Sequence, residues 1–423
     1  MRNASPVLIL LRVIAACMVL AIAAFFAGPM TSGALLLLFP TVAQFQPQPH
    51  DLPADYTPVH HGHISLGVGL YFRSNEDLVV PGTPGLIVKR SYASSYRVSR
   101  EFGIGTSHAA DWYLVGDGQQ FQWAELIRPD EFDVRFRRTS GGTSFWNAMY
   151  VHRGSDDWDR AWLGWTGVDW ALRHPSGALA RFRACGAVRG DRCSVESYRD
   201  EDGHSIRYRR DKAGRLERME SGGDQWVAFE YDAWNRITRA SASTKREVRY
   251  EYDERGRLAR VKSGDTVTHR YTYTDLDEMA RIVEPDADIE NIYENGRCIR
   301  QVNRYSDGSP PFIFNFEYTL DGPRIAQTIS RRSDGSWMQY SFDKAGYTTS
   351  ETWGSGNYEP VSFIFERDPD TNLVVSLSMT CPDRSGKLLR HTSLVAPGRE
   401  ESVKSNLMQT HCSWTRQQWR SPR

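Results

Sequence analysis

Phe229-Glu230-Tyr231-Asp232-Ala233-Trp234-Asn235-Arg236-Ile237 stands between two near copies of itself. Tyr208-Arg209-Arg210-Asp211-Lys212-Ala213-Gly214-Arg215-Leu216 comes before it, and Tyr250-Glu251-Tyr252-Asp253-Glu254-Arg255-Gly256-Arg257-Leu258 comes after. Asp211, Asp232 and Asp253 recur at a spacing of 21 residues. Self-similarity at a fixed period means one structural unit stacked on copies of itself.

The unit reads as a β-hairpin. Phe229-Glu230-Tyr231 and Tyr250-Glu251-Tyr252 alternate as a half-buried strand does. Asp followed three residues on by Gly or Asn is turn chemistry: the carboxylate bonds backbone N–H groups ahead of it, and Gly or Asn accepts positive φ. Asp211, Gly214, Asp232, Asn235, Asp253 and Gly256 are therefore the repeat-turn residues. Leu216, Ile237 and Leu258 begin the return strands. At roughly 3.3 Å per strand residue, the period suits two strands of about seven residues and two turns. Tyr231 and Tyr252 fall in equivalent places, a structural ladder contributing about 0.5–1 kcal/mol per cross-strand pair.

The pattern continues with looser spacing through Tyr271-Thr272-Tyr273-Thr274, Tyr293-Glu294-Asn295-Gly296-Arg297, Phe314-Asn315-Phe316-Glu317-Tyr318, Tyr340-Ser341-Phe342-Asp343-Lys344-Ala345-Gly346 and Phe363-Ile364-Phe365-Glu366, making eight units. An earlier block has its own signature. Asp77-Leu78 leads to Pro81-Gly82 and then Arg90-Ser91-Tyr92; Phe102-Gly103-Ile104-Gly105-Thr106-Ser107-His108 follows.

Together these stretches resemble the YD repeats of bacterial Rhs proteins and their teneurin relatives, preceded by the β-rich domain that opens Rhs proteins. In that domain a "dLxxPG…RxY" stretch precedes an "FGxGWxH" stretch, and here Thr106-Ser107 replaces Trp-Ser. The likeness spans roughly residues 58 to 370. It implies an all-β fold: an opening β domain over 58–180, continuous with a curved YD-repeat sheet over 181–380, a partial Rhs-type shell. Large Rhs proteins wrap such a shell around a C-terminal toxin and end it with a Pro-x-x-Asp-Pro-x-Gly-type core motif. That motif is absent, since Asp368-Pro369-Asp370 lacks the Gly, and eight units look too few to close a shell. Residues 381–423 read as a basic, solvated tail.

Composition agrees with an exported β protein. Aromatic residues make 12% of the chain, which favours strands. Lys+Arg and Asp+Glu both number 52, so there is no basic excess of the kind nucleic-acid binding needs. Residues 1–43 carry the targeting signal, and Pro6 to Gly28 is apolar apart from Arg12. Three readings stay open: a retained membrane-spanning anchor helix, a cleaved signal peptide ending near Ala43, or a lipoprotein signal at Cys17. Each places the bulk outside the cytoplasm, at a bacterial inner membrane with the body in the periplasm, or secreted. Residues 44–57, rich in Pro and Gln, are a linker.

Candidate sites are few. His60, His61 and His63 lie close, but no further metal ligand is suggested nearby, and Asp286-Ala287-Asp288-Ile289-Glu290 lacks the spacing of a calcium loop. No metal, cofactor or catalytic residue is expected: nucleophile-elbow, zincin and phosphate-loop motifs are all missing. Trp146, Trp158, Trp162, Trp165 and Trp170 fall within 25 residues. They either fill a core or present faces that stack on sugar rings. Three functions follow from these readings. One is a non-enzymatic envelope scaffold that binds a protein, such as another Rhs fragment, with a possible link to toxin delivery or interbacterial competition. Another is a carbohydrate- or cell-wall-binding module using those tryptophans. A third is a remnant of a toxin-delivery protein without its payload. An open strip of sheet leaves an edge that a partner or the tail must cover.

Cys185 and Cys193 flank a seven-residue loop that a disulfide would staple across a hairpin, as exported compartments favour; Cys381 with Cys412 is the weaker pairing. Mass spectrometry of a non-reduced tryptic digest is expected to recover Cys185 and Cys193 in one linked species. Recovery of both as alkylated thiols would remove the staple.

Overall fold

The computed structural model describes residues 59–60, 63–116, 121–128, 133–144, 147–153, 157–184, 192–356, 359–369, 373–382, 387–396 and 399–411. The expected N-terminal anchor and linker lie outside them. Among the described residues, no helix is long and apolar enough to cross a membrane. Among the described residues the fold is all-β apart from one helix, Glu400–His411.

The three repeat turns have the geometry their residue types dictate. In each, one carboxylate oxygen of the Asp accepts two backbone N–H bonds. Asp211 Oδ1 takes those of Ala213 and Arg215 at 2.9 and 3.0 Å. Asp232 Oδ1 takes those of Trp234 and Arg236, both at 2.9 Å. Asp253 Oδ1 takes those of Arg255 and Arg257 at 3.0 and 2.9 Å. The other oxygen accepts from the guanidinium of Arg215, Arg236 or Arg257, each at 2.7 Å. The turn closes through a left-handed residue, Gly214 at φ 83° and Asn235 at φ 62°, where an ordinary side chain would be strained.

The repeat tyrosine locks one hairpin to the one before. Tyr231 donates its hydroxyl to the Leu216 carbonyl at 2.8 Å, Tyr252 to Ile237 at 2.5 Å and Tyr273 to Leu258 at 2.8 Å. Tyr293 and Tyr318 do the same to Met279 and Cys298, at 2.9 and 2.6 Å. The preceding unit's arginine lies on each ring: Arg215 over Tyr231 at 4.8 Å, Arg236 over Tyr252 at 4.3 Å, Arg257 over Tyr273 at 4.9 Å. Each hydroxyl bond stabilises by about 0.5–1.5 kcal/mol, and each stacked cation adds about 0.5–2. The Asp, the Gly-Arg-Leu and the Tyr of the repeat are thus one device seen at three points.

The hairpins form a ribbon of seventeen antiparallel strands, from Ser205–Arg210 to Leu388–Leu394, each paired with its neighbours in chain order. Ahead of it, eight shorter strands from Tyr113–Gly116 to Cys193–Arg199 close into a barrel. Cys193–Arg199 is the joint. Its first residues, Cys193 and Ser194, pair with Leu114 and Tyr113 and close the barrel. Its last, Ser197 to Arg199, pair with Arg207 to Ser205 and start the ribbon.

The opening domain expected over 58–180 is therefore two structures. Residues 113–182 belong to the barrel, which has its own core around Leu126, Phe136, Tyr150, Leu163 and Phe182. Residues 64–108 form a cap whose three-stranded sheet, Phe72–Val80, Leu86–Ala93 and Thr106–His108, covers one face of the ribbon. Cap residues Leu78, Val80, Leu86 and Phe102 share a core with ribbon residues Val227, Ile237, Val248 and Leu258.

In the segment read as a solvated tail, residues 387–396 and 399–411 are structured. Leu388–Leu394 is the ribbon's last strand, and the helix packs Leu407 against Phe363, Leu377 and Met379. Its Lys404 makes a buried 2.6 Å ion pair with Glu351, which also accepts from the Tyr340 hydroxyl at 3.0 Å. Charge clustering hid this, because one lysine is drawn inward while its basic neighbours in sequence stay in water.

The cap's sequence signature is its docking surface. Asp77 pairs with Arg90 at 2.6 and 3.0 Å with both side chains essentially buried, and accepts from the ribbon's Tyr250 hydroxyl at 3.0 Å. The Tyr92 hydroxyl accepts from the Met279 N–H at 2.8 Å. Phe102 and His108 pack on Tyr250 and Phe229 at ring separations of 4.7 and 5.7 Å. A Cβ on Gly103 would sit 2.6 Å from the Gly256 carbonyl, so only glycine lets the cap approach the turn. Removing the carboxylate by Asp77→Ala strands the Arg90 charge in the interface. Urea unfolding is expected to show a loss of about 3–5 kcal/mol, partly recovered by adding Arg90→Met. A loss under about 1 kcal/mol in the single variant would mean that the pair does not hold the cap.

Candidate functional site

Cap, barrel and ribbon meet at a polar cleft of about 390 Å³. Arg100, Glu101 and His108 enter from the cap, and Asp111 from the link between cap and barrel. Arg183, Arg192 and Ser194 come from the barrel, and Arg210, Arg215, Tyr231 and Trp234 from the first two repeats. The repeat-turn residues Gly214 and Asn235 line it as well.

The two carboxylates share one hydroxyl. Ser107 Oγ lies 2.9 Å from Glu101 Oε2 and 3.3 Å from Asp111 Oδ2. A hydroxyl has a single proton to donate, so both contacts are bonds only if one acid is protonated. Asp111 is that acid. Burial, then the Glu101 charge, push its carboxyl up to about 7, against the Arg100 guanidinium at 2.9 Å. Glu101 is held below its ordinary range: burial works against this, but His108, Arg100 and the Ser107 hydroxyl outweigh it. Burial, with help from Arg210 and Arg100, lowers His108 to about 4, so its ring is neutral.

Five arginines line the cleft against these two acids. Arg100 is committed to Asp111 and Arg215 to Asp211. Arg210 donates to three carbonyls: Gly214 at 3.2 Å, Val195 at 3.4 Å and Ala110 at 3.5 Å. Arg192 lies 4.5 Å over the Tyr113 ring. Among the described residues, neither Arg210 nor Arg192 makes an ion pair with a carboxylate. Burial pulls the Arg210 guanidinium below its ordinary range. Among the described residues, no nucleophile lining the cleft is paired with a base in the manner of a catalytic triad.

The tryptophans singled out in the sequence separate. Trp158 and Trp170 are buried in the barrel core at 8% and 6% exposure, and Trp165 packs edge-on against Trp170 at 5.5 Å. Trp162 is half-buried on a barrel strand, and Trp146 lies outside the described residues. The exposed indole is a different one, Trp234, at 73%. It occupies the turn position filled by Ala213 and Arg255 in the flanking repeats, and that comparison alone marks the position as solvent-facing. Arg236 lies 5.0 Å over its ring.

Cys193 and Cys381 are buried and disulfide-bonded. The expected partners, Cys185 and Cys412, lie outside the described residues. Cys298 is free and buried. His61 is also outside, and among the described residues no group of three or more His, Cys, Asp or Glu side chains is placed to hold a metal.

Comparison with known proteins gives two family matches. The teneurin YD-shell family matches residues 192–380, and a domain of unknown function (DUF6531) matches residues 61–136. No curated protein matches the sequence. Among solved structures, TcdB2-TccC3-Cdc42 is similar at 9% identity and a TM-score of 0.36, over 75% of this chain and 22% of that one. TcdB2-TccC3-TEV is similar at 12% identity and a TM-score of 0.33, over 75% of this chain and 19% of that one. The chain thus spans about a fifth of the length of those chains.

The buried acid and the buried histidine pull stability in opposite directions with pH. Asp111 has a folded pKa above its unfolded one, so its contribution is complete below pH 4 and is lost as pH rises to about 7. His108 has a folded pKa below its unfolded one, so its contribution is complete above pH 6.5 and is lost as pH falls to about 4. Relative to the unsubstituted protein, Asp111→Asn is expected to gain thermal stability between pH 5 and pH 7.5. An unchanged gap in melting temperature would show that Asp111 does not titrate there.

Proposed function

The chain belongs to the Rhs/YD-repeat family, and from that premise we propose that it is a non-enzymatic β scaffold of the cell envelope that binds an extended polypeptide. The observation that carries this is the ribbon's last strand. Leu388–Leu394 pairs with Val374–Pro382 along one edge, and among the described residues no strand is in register with the other, Tyr113–Gly116 being held on both sides by Trp123–Ile127 and Cys193–Arg199. The terminal helix packs on a face of these strands, through Leu407.

An open edge presents a row of backbone donors and acceptors, the template for adding a strand from another chain. Proteins usually blunt such an edge with charge or proline. Here Leu388 and Leu394 stand on it at 51% and 85% exposure. The partner is a protein segment of strand-forming, partly apolar sequence, another YD-repeat fragment being one candidate. Export to the envelope follows from the apolar N-terminal segment. The barrel tryptophans do not favour the carbohydrate-binding alternative, since Trp158 and Trp170 are core residues.

Leu394→Lys places a charge on the edge without touching a core. A cross-linked pull-down of the tagged full chain from its native envelope is expected to recover a stoichiometric protein, and the L394K variant to lose it at least tenfold. Recovery of wall glycan with no stoichiometric protein, or equal capture by both forms, would overturn the scaffold.

A further inference from the structure

We propose that the cleft between cap, barrel and first repeats binds a small organic phosphate, its phosphoryl group on Arg192 and Arg210 and its ring on Trp234. This site is separate from the strand edge and does not rest on it.

The charge balance calls for an anion. Five arginines face two acids across the cleft. One of the acids, Asp111, is already committed to Arg100, and burial and the Glu101 charge push its carboxyl up. Arg210 donates to three carbonyls, which lowers its hydrogen-bond penalty, and its charge is met only at a distance by Asp111 and Glu101. Stacking over Tyr113 holds the Arg192 guanidinium in place at the cleft. A phosphoryl group has three terminal oxygens and two negative charges. It suits several converging guanidiniums better than a carboxylate does, because each planar fork binds two oxygens.

The rim supplies the second half of the recognition. Trp234 is a large apolar surface held in water at a turn beside the cleft. Arg236 lies over its ring, and that guanidinium is itself fixed by Asp232 and by the Tyr252 ring. The indole is a held platform, and such platforms stack on sugars and nucleobases alike. A cleft of about 390 Å³ is at the small end of ligand pockets, the size of a monosaccharide or nucleoside phosphate.

Calorimetric titration of the full chain with inorganic phosphate, glucose 1-phosphate and uridine monophosphate tests the site. All three are expected to saturate, the ring-bearing pair at least tenfold more tightly. Arg192→Gln, at an exposed position, should weaken all three about tenfold. Trp234→Ala, also exposed, should weaken only the ring-bearing pair. Whichever ring binds more tightly identifies the source as sugar or nucleotide. Arg210→Gln, checked for folding by circular dichroism, should weaken all three as well. Failure of every probe to saturate by about 10 mM, in the affinity range of non-specific contact, would overturn the proposal. So would saturation that neither arginine variant alters. Inorganic phosphate binding as tightly as both esters would remove the ring from it.

Discussion

A ribbon of seventeen strands with one apolar face is stable in water only if that face is covered, and the cover is braced from within by the buried Asp77–Arg90 pair, which meets the ribbon at the Tyr250 hydroxyl. Both side chains are lost from water, so each depends on the other and on the Tyr250 hydroxyl. The pair adds little net stability compared with an apolar contact. Its value is positional: the pair ties the cap's two long strands together, and the Tyr250 hydroxyl on Asp77 and the Tyr271 ring beside Arg90 give the cap one register on the ribbon. The close approach of Gly103 to the Gly256 carbonyl and the seating of Tyr92 at Met279 follow from that register.

Hairpin locking and cap docking are linked through the same turns. Each repeat arginine serves its own turn's aspartate and the next unit's tyrosine, so the turns lie in a row at one border of the ribbon. Arg215 extends the row by donating to Asn235 of the following turn at 3.0 Å. The cap's Ile104 N–H bonds the Gly256 carbonyl at 3.2 Å, within that row. Turn residues that look solvated in a single unit are therefore ordered by their neighbours, which is why the first turns can line a cleft of fixed shape.

Much of this was legible in the chain. The roles of Asp211, Gly214, Asp232, Asn235, Asp253 and Gly256 follow from residue type and spacing, because turn chemistry is local. The Asp77, Arg90, Tyr92 and Gly103 signature was visible as a pattern, but its meaning was not. Its contacts lie more than 170 residues away at Tyr250 and Met279, and spacing in one segment does not name a distant partner. Closure of the barrel was hidden for a related reason. It depends on Cys193–Arg199 dividing its pairing between two structures, and its other strands are only three to five residues long. The density of tryptophan at 146–170 reflected a small barrel filled with large rings, whereas the exposed indole sat alone in a repeat turn.

Arg210 joins these threads. It belongs to the first ribbon strand, and its guanidinium reaches the Val195 carbonyl of the barrel's closing strand, the Gly214 carbonyl of the first turn and the Ala110 carbonyl beside the cap. One cation thus touches all three parts of the fold, at the place where they share a polar cleft. Burial opposes the charge of this guanidinium, and Asp111 and Glu101 offset only part of that cost. An anion beside it would turn the same group into a tie between the three parts. Any ligand that binds only the assembled cleft must stabilise the assembly by mass action, by about 2.7 kcal/mol at a hundred times its dissociation constant. The geometry that makes this arginine costly in the empty cleft is the geometry that would make the occupied one a clamp.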